Sequence, residues 1–407
     1  SLLYPTGIVS GGRSVPSLTT ECAEIGFNCL CALCNGMDSP SFPTEEFRRE
    51  RECLTLFGGE SMGNITLVAI DLAKQTFQVR GVNHSGRALF NRKVSRSNLM
   101  NQVLNFPPGV RIAMEACASS HHWGRQFEAA GFRVNLIAPQ YVKPFIKTQK
   151  NDSADAEGIA EAASRDNMRF VPVKSIEQQD IQSTHRVRER YIKNRTALMN
   201  ELRGLLMEYG VVIPQGASAL VRHIPLVLES ESVTETMKLL VRELYQEFVE
   251  IEKRLYLVTK RIEEMAKNKV VCEQLMKIPG IKAITATAIY ASVGHMKFKN
   301  GRELSAFLGL VPRQNSTGGK QKLGRITKHG DKYVRKLLVH GARSVLLNAH
   351  RHQDRYSSWA KTLRDTKGYT KGAVALANKN ARIAWAVMSS GAAFDHDFTQ
   401  ATQQVVH

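Results

Sequence analysis

The sequence predicts an α/β domain followed by a mostly helical remainder, and three observations carry that prediction. Short apolar runs separated by turns fill residues 65–137. Apolar residues in strict 3,4 alternation run from 241 to 265. Helical spacing broken by Pro-Gly and Gly-Gly then continues toward residue 395. The 407 residues are 43% hydrophobic and 23% charged, an ordinary globular mixture that excludes wholesale disorder and implies two or three domains. No run of about 18 apolar residues occurs, so no membrane-spanning segment is expected. Lys and Arg number 56 against 37 acids, a net charge of +19 that points to a polyanionic partner.

The charge is uneven. Residues 1–61 hold four Arg and eight acids, so the excess lies entirely in the remainder. The same segment holds five of the seven cysteines, and Cys29-x-Cys31-x-x-Cys34 has no second paired half to complete a zinc site. It is rich in Gly, Ser and Pro and has no sustained periodicity. We expect 1–61 to be a non-native or disordered leader, with a small extra domain as the alternative, and 396–407 to be a tail.

From Met62 the elements follow in order. Ile65–Leu72 is an apolar run suited to a strand buried on both faces. Lys74–Val82 alternates, turns at Asn83-His84-Ser85-Gly86, and returns as Arg87–Val94, an antiparallel meander. A helix over Ser95–Leu104 ends at Pro107-Pro108-Gly109. Val110–Ala116 is a fourth strand, Trp123–Ala130 a helix and Phe132–Ile137 a fifth strand. Three antiparallel strands, then alternating helix and strand, is the order of a ribonuclease-H-like fold.

Asp71 and Glu115 lie inside the first and fourth apolar strands. A carboxylate there is costly unless it is paired or bound to a cation. Asp152 and Asp155 follow at i, i+3, on one face at the start of a helix. Converging, the four would suit one or two Mg²⁺ ions. Apart, Asp152 and Asp155 would merely cap a solvated helix. His121 and His122 follow Glu115 closely enough to reach such a site or to serve the surface.

The middle is helical. Val187, Tyr191, Leu198, Leu202, Leu205 and Tyr209 mark one helix. Val241, Leu244, Phe248, Ile251, Leu255, Val258, Ile262 and Met265 form a heptad seam. The seam is either the core of an intramolecular hairpin or a coiled coil joining subunits. We expect the second, because a long arm buries little without a partner, and hence a homo-oligomer, a dimer or tetramer.

In the last third, Leu275–Ile281 followed by Ala283–Ala286 has the form of a helix-hairpin-helix, with Gly280 positioned for backbone contact with phosphate. Pro312–Lys336 then holds eight cations (Arg313, Lys320, Lys322, Arg325, Lys328, Lys332, Arg335 and Lys336) against one acid, Asp331. A solvated face would mix both signs. Asn315-Ser316-Thr317-Gly318-Gly319-Lys320 sets hydroxyls beside a glycine pair, as a plain turn or as a flexible loop.

Together these residues resemble the DEDD transposases of the insertion sequence one-hundred-ten type, the bridge-RNA-guided recombinases. The likeness spans 62–395. It rests on Ile70-Asp71-Leu72-Ala73-Lys74, Met114-Glu115-Ala116, Asn151–Ala156, Ile278-Pro279-Gly280-Ile281, Gly309–Arg313 running into Ser316–Lys320, and Lys328–Arg335. It implies a RuvC-like catalytic domain (62–170), a coiled-coil region (171–270) and a C-terminal domain (271–395) that supplies a nucleophilic serine. It also implies an element-encoded RNA pairing with donor and target DNA, in the bacterial cytoplasm at the nucleoid.

The implied chemistry places Mg²⁺ on Asp71, Glu115, Asp152 and Asp155, while a serine hydroxyl attacks phosphorus and conserves the bond energy in a phosphoserine link. Arg325, Lys328 and Arg335 would neutralise phosphate nearby. The family commonly carries two hydroxyl residues before the glycine, the second often the nucleophile. Here the pair is Ser316-Thr317: strict alignment selects Thr317, and the less hindered primary hydroxyl favours Ser316. Two rivals remain, a RuvC-like nuclease or junction resolvase acting with water, and a non-catalytic nucleic-acid-binding protein.

Overall fold

The computed structural model describes residues 64–146 and 151–395. All of them belong to one unit of the chain, 59–407; the expectations for 1–61 and 396–407 lie outside the described residues.

Six strands form one sheet: β1 (Ile65–Asp71), β2 (Thr76–Asn83), β3 (Ala88–Ser95), β4 (Arg111–Glu115), β5 (Arg133–Ile137) and β6 (Phe170–Val171). Their order is β3-β2-β1-β4-β5-β6. β1, β2 and β3 pair antiparallel, β4 and β5 run parallel to β1, and β6 is antiparallel at the edge. This is a mixed α/β sheet consistent with a ribonuclease-H-like domain. β6 straddles the boundary expected at residue 170.

Alternation along the central strands divides the apolar residues between two layers. Val68, Ile70, Ile112 and Met114 face one way, packing with Leu99 and Val103 of α1 (Leu99–Leu104) and Trp123 and Phe127 of α2 (Ser120–Ala129). Leu67, Ala69, Ala113 and Ile137 face the other, against Ile159, Ala160 and Ala163 of α3 (Asp152–Ala163). The small residues of α3 let it sit close: a Cβ added at Gly158 would meet Ile146 at 2.8 Å.

Two long helices follow, α4 (Ile176–Met207) and α6 (Glu235–Lys267), with α5 (Ala217–Glu229) between them. Ser175 and Gln178 form a capping box that starts α4. Arg188 donates to Thr259 at 3.0 Å and Arg195 to Glu252 at 3.0 Å. As one number rises by seven the other falls by seven, so the helices are antiparallel.

The seam is corrected by this pairing. Val241, Phe248, Ile251, Leu255, Val258 and Ile262 are buried within the chain itself, as the hairpin alternative has it, while Leu244 and Met265 are partly buried. The regular 3,4 spacing identified the helix face but not what covers it. On α4, Leu206 is buried where Leu205 was expected, and Val187 is exposed.

The C-terminal core is built from α7 (Val270–Met276), α8 (Ala283–Val293), α9 (Gly301–Phe307), α10 (Lys332–Asn348), α11 (Arg355–Lys367) and α12 (Tyr369–Ser390). α8 is apolar nearly all round, as a helix enclosed on every side must be. Buried His185 of α4 bonds to Thr287 Oγ1 at 2.9 Å and Tyr333 OH at 3.0 Å, tying the long helix to α8 and α10. Among the described residues, no helix is long and apolar enough to cross a membrane.

Placing Lys at both Phe248 and Ile251 should destabilise the fold by about 3 kcal/mol or more, because two charges would enter a sealed apolar layer. Thermal denaturation reads this directly. An equally stable variant of lower mass by light scattering would return the seam to a subunit interface.

Candidate active site

The site begins with strand alignment. Ile70 pairs with Met114 in the parallel ladder, so Asp71 and Glu115 follow side by side at the carboxyl ends of β1 and β4. Alternation turns both toward the layer of Ala69 and Ala113, the face that α3 covers. Asn151 caps α3, its side chain accepting from Ala154 N–H at 2.7 Å. Asp152 and Asp155 thus stand in the first turn, where the helix dipole favours negative charge.

The carboxylates influence one another. The Asp71 carboxyl is pushed up to about 6, first by burial and then by the charges of Asp155, Asp152 and Glu115, against a lowering bond from the Leu72 backbone. Nearby Cys117 is pushed up to about 11 by burial and by Glu115 and Asp71, so its thiol stays protonated at neutral pH. Among the described residues, no three His, Cys, Asp or Glu side chains are grouped closely enough to hold a metal ion. Part of the reason is Asp152, which is exposed and paired with Lys93 at 3.7 Å.

Lys93 was not foreseen. Asp71 lies opposite Gln78, and Gln78 opposite Lys93, so all three share a sheet face. Only the strand pairing reveals that line. Asn91 on β3 also donates to Ser153 Oγ at 2.7 Å, fastening the start of α3 to the sheet. His121 is occupied elsewhere: its Nδ1 accepts from Lys174 N–H at 3.2 Å, and burial with neighbouring Lys174 lowers it to about 4. His122 is exposed.

The basic stretch forms a hairpin, β7 (Pro312–Gln314) with β8 (Leu323–Ile326). At its tip Thr317 bridges Lys320 across Gly318 (φ +55°) and Gly319 (φ +77°). Two consecutive positive φ values require this glycine pair. Ser316 Oγ accepts from Gln314 Nε2 at 3.0 Å and from Lys322 N–H at 3.3 Å. Ser316, Thr317, Arg313, Lys320, Lys322, Arg325 and Lys328 are exposed.

The base of the hairpin is clamped. A Cβ at Gly309 would lie 2.4 Å from the His329 carbonyl oxygen, and one at Gly330 would lie 1.9 Å from that of Phe307. Glycine in both motifs therefore serves a single backbone crossing. Arg335 donates to the carbonyls of Leu308 (2.9 Å) and His329 (2.7 Å), and Gly280, with φ +85°, packs on the backbone of Gly341. Among the described residues, no hydrogen bond or ion pair links Ser316 or Thr317 to the four carboxylates.

Residues 68–211 match the DEDD transposase family model of IS110, described as "Transposase", and residues 272–357 match "Transposase IS116/IS110/IS902 family". The chain is 41% identical to the "Transposase for insertion sequence element IS1111A" of Coxiella burnetii, over 87% of this chain and 98% of that protein. It is 44% identical to the "Probable family 20 transposase" of Pseudomonas aeruginosa (80% and 97%) and 36% to the "Transposase for insertion sequence element IS1328" of Yersinia enterocolitica (82% and 99%). The chain belongs to the IS110 transposase family. The first matched stretch of this IS110-family transposase contains all four carboxylates, and the second contains the Ser316-Thr317 hairpin and its clamped base.

In metal-free buffer Asp71→Asn should stabilise the transposase at pH 7.5 by on the order of 1–2 kcal/mol. The folded-state value of about 6 exceeds the ordinary 3.8, so wild-type stability is lost as pH rises from about 4 through 6. Melting curves of the two proteins should converge below pH 4. A constant offset across that range would show that the effect is not ionisation.

Proposed function

We propose that this transposase cuts and rejoins DNA by attack of a hairpin hydroxyl on a phosphodiester held at Asp71, Glu115, Asp152 and Asp155. The placement of Asp71 and Glu115 on adjacent strand ends, with Asp152 and Asp155 in the first turn of the helix that covers the same face, supports the reading. A divalent cation such as Mg²⁺ fits the donor set: every donor is a hard carboxylate oxygen, and the Asp71 carboxyl, raised first by burial and then by three neighbouring acids, is one whose ionised form a cation would favour. Bound there, it would polarise the scissile phosphate and stabilise the departing oxygen. Asp152 would exchange Lys93 for that role, while α3 holds Asp155 against the sheet.

Ser316 is our choice of nucleophile, with Thr317 the alternative. Its oxygen accepts two hydrogen bonds, which orient it and leave its own proton free to depart as the phosphorus–oxygen bond forms. That bond would replace the bond to the leaving DNA oxygen, which takes up a proton, and rejoining would reverse the exchange. Arg313, Lys320, Lys322, Arg325 and Lys328 would meet phosphates; Gly280, in its helix-hairpin-helix turn, and Arg335 already have backbone partners in the fold. The functional division would be 62–170 for the carboxylates, 171–270 for the helical, coiled-coil-like connector and 271–395 for the hydroxyl.

Among the described residues no hydrogen bond or ion pair joins the hairpin hydroxyls to the carboxylates, so the reading includes closure between them in a DNA-bound homo-oligomer, assembled through a surface other than the buried seam. The family resemblance adds an element-encoded guide RNA, which a net charge of +19 accommodates, and a cytoplasmic place of action.

Mg²⁺ should raise the melting temperature of wild type but not of Asp71→Ala, and that variant should lose strand cleavage while keeping DNA binding. Normal cleavage by Asp71→Ala would sink the metal site. Mass spectrometry of the trapped wild-type adduct should place phosphate on Ser316. Linkage on Thr317 would transfer the role, and absence of any adduct during cleavage would favour hydrolysis by water.

A further inference from the structure

The sheet passes into the first long helix through a short joint. Val171 and Val173 still pack against the sheet core, and a Cβ added at Gly124 of α2 would meet Val173 Cγ2 at 2.8 Å. α4 begins at Ile176, which is 65% exposed. Lys174 and Ser175 lie between. Among the described residues, the apolar cores of the sheet and of the C-terminal helices have no residue in common. The joint is polar instead.

Lys174 is held by both of its backbone groups. His121 Nδ1 accepts from its N–H at 3.2 Å, and Arg125 donates to its carbonyl at 2.8 Å. His121 and Arg125 stand at i, i+4 on one face of α2, so a single helix face grips a single residue twice. The same Arg125 nitrogen donates to Gln179 Oε1 at 3.1 Å. Its two acceptors therefore lie on either side of Ser175, the cap at which the chain turns into α4. Because the Lys174 N–H is a donor, His121 must present a lone pair at Nδ1. Burial, with Lys174, His295, Arg125 and Arg186 nearby, lowers His121 to about 4 and keeps the ring neutral.

Each end of this grip leads to one half of the proposed site. α2 follows Glu115 through a bonded turn, in which the Cys117 N–H donates to the Glu115 carbonyl at 2.8 Å and the Ser120 hydroxyl to the Cys117 carbonyl at 2.9 Å. α4 is fastened to the C-terminal core by Glu177 with Lys269 at 2.6 Å and Tyr290 at 3.3 Å. His185 with Thr287 and Tyr333, and Glu189 with Lys336, continue that attachment. Tyr333 lies three residues beyond Gly330 of the hairpin base.

We propose that His121 and Arg125 are positioning residues: by gripping Lys174 and Gln179 across the joint, they hold the carboxylate end of the sheet at one angle to α4, and so to the domain that carries the hairpin hydroxyls. This rests on reading the carboxylates and the hairpin as the two halves of the cleavage site. Both residues act through the backbone of Lys174, not on the reacting atoms.

The test uses the full-length chain and two readouts. Hydrogen exchange without DNA, read by mass spectrometry, reports on the joint; single-turnover cleavage at saturating DNA, with co-purified RNA retained, reports on the geometry. Arg125→Met should raise exchange across 172–179 several-fold while β1 and β4 keep wild-type protection. Its cleavage rate should fall on the order of tenfold to a hundredfold with DNA affinity unchanged, because misplaced groups lose rate rather than binding. His121→Leu should behave alike, and His121→Asn, whose Oδ1 can take the place of Nδ1, should recover most of both losses. Gln179→Ala, at an exposed position, should show a weaker form of both effects and serves should a half-buried variant fail to fold. Wild-type exchange in Arg125→Met and Gln179→Ala, or raised exchange with a wild-type cleavage rate, would overturn the positioning role. Asp71→Asn should lose cleavage yet keep wild-type exchange at 172–179. Cleavage surviving in that variant would overturn the carboxylate reading instead, so the two failures are distinguishable.

Discussion

The alignment of Ile70 with Met114 determines the candidate site, because the next residue on each strand is an acid. Parallel neighbours in register project to the same face, so Asp71 and Glu115 must share their surroundings. The first turn of α3 then adds two more acids above the same strand ends. Burial resists ionisation of the Asp71 carboxyl, neighbouring acids add to it, and the carboxyl is pushed up to about 6. The apolar layers on both sides of the sheet, each buried side chain contributing about 1.5–3 kcal/mol, keep this arrangement from relaxing.

A sheet that concentrates negative charge needs positive charge elsewhere to approach DNA. The transposase carries exposed cations on the β7–β8 hairpin. The hairpin and α4 are each anchored to the C-terminal core. Gly309 and Gly330 let two backbone segments cross beneath the hairpin, with Arg335 binding the carbonyls around the crossing. His185 joins α4 to α8 and α10 through Thr287 and Tyr333. Burial and the Arg188 charge lower His185 to about 4, so it is neutral at physiological pH and can act as both donor and acceptor.

Much of this is legible in the sequence. β1 and β4 were marked by apolar runs because a strand buried on both faces has little compositional freedom, and β2 and β3 by alternation around a turn. Asp71 and Glu115 stood out because acids in apolar runs are costly. β6 escaped notice because two residues carry no periodicity, and Lys93 because its place beside Asp152 depends on two successive strand pairings. Lys174, His121 and Arg186 lie on separate elements, and nothing local to any of them announces the others.

The chain's own pattern determined which residues are helical, which are extended and which must be glycine, since those depend on local sterics and on each segment having an apolar side to bury. It also determined that acids and cations would occupy separate places. Tertiary structure decided what covers each apolar side. The seam on α6 has the same spacing whether its partner is another subunit or the chain itself, and here Phe248 and Ile251 share a core with residues of α4 and α5. The glycines of the hairpin base show the same division: sequence marks them as special, but only the meeting of Phe307–Gly309 with Lys328–Gly330 supplies the reason, a backbone approach too close for any side chain.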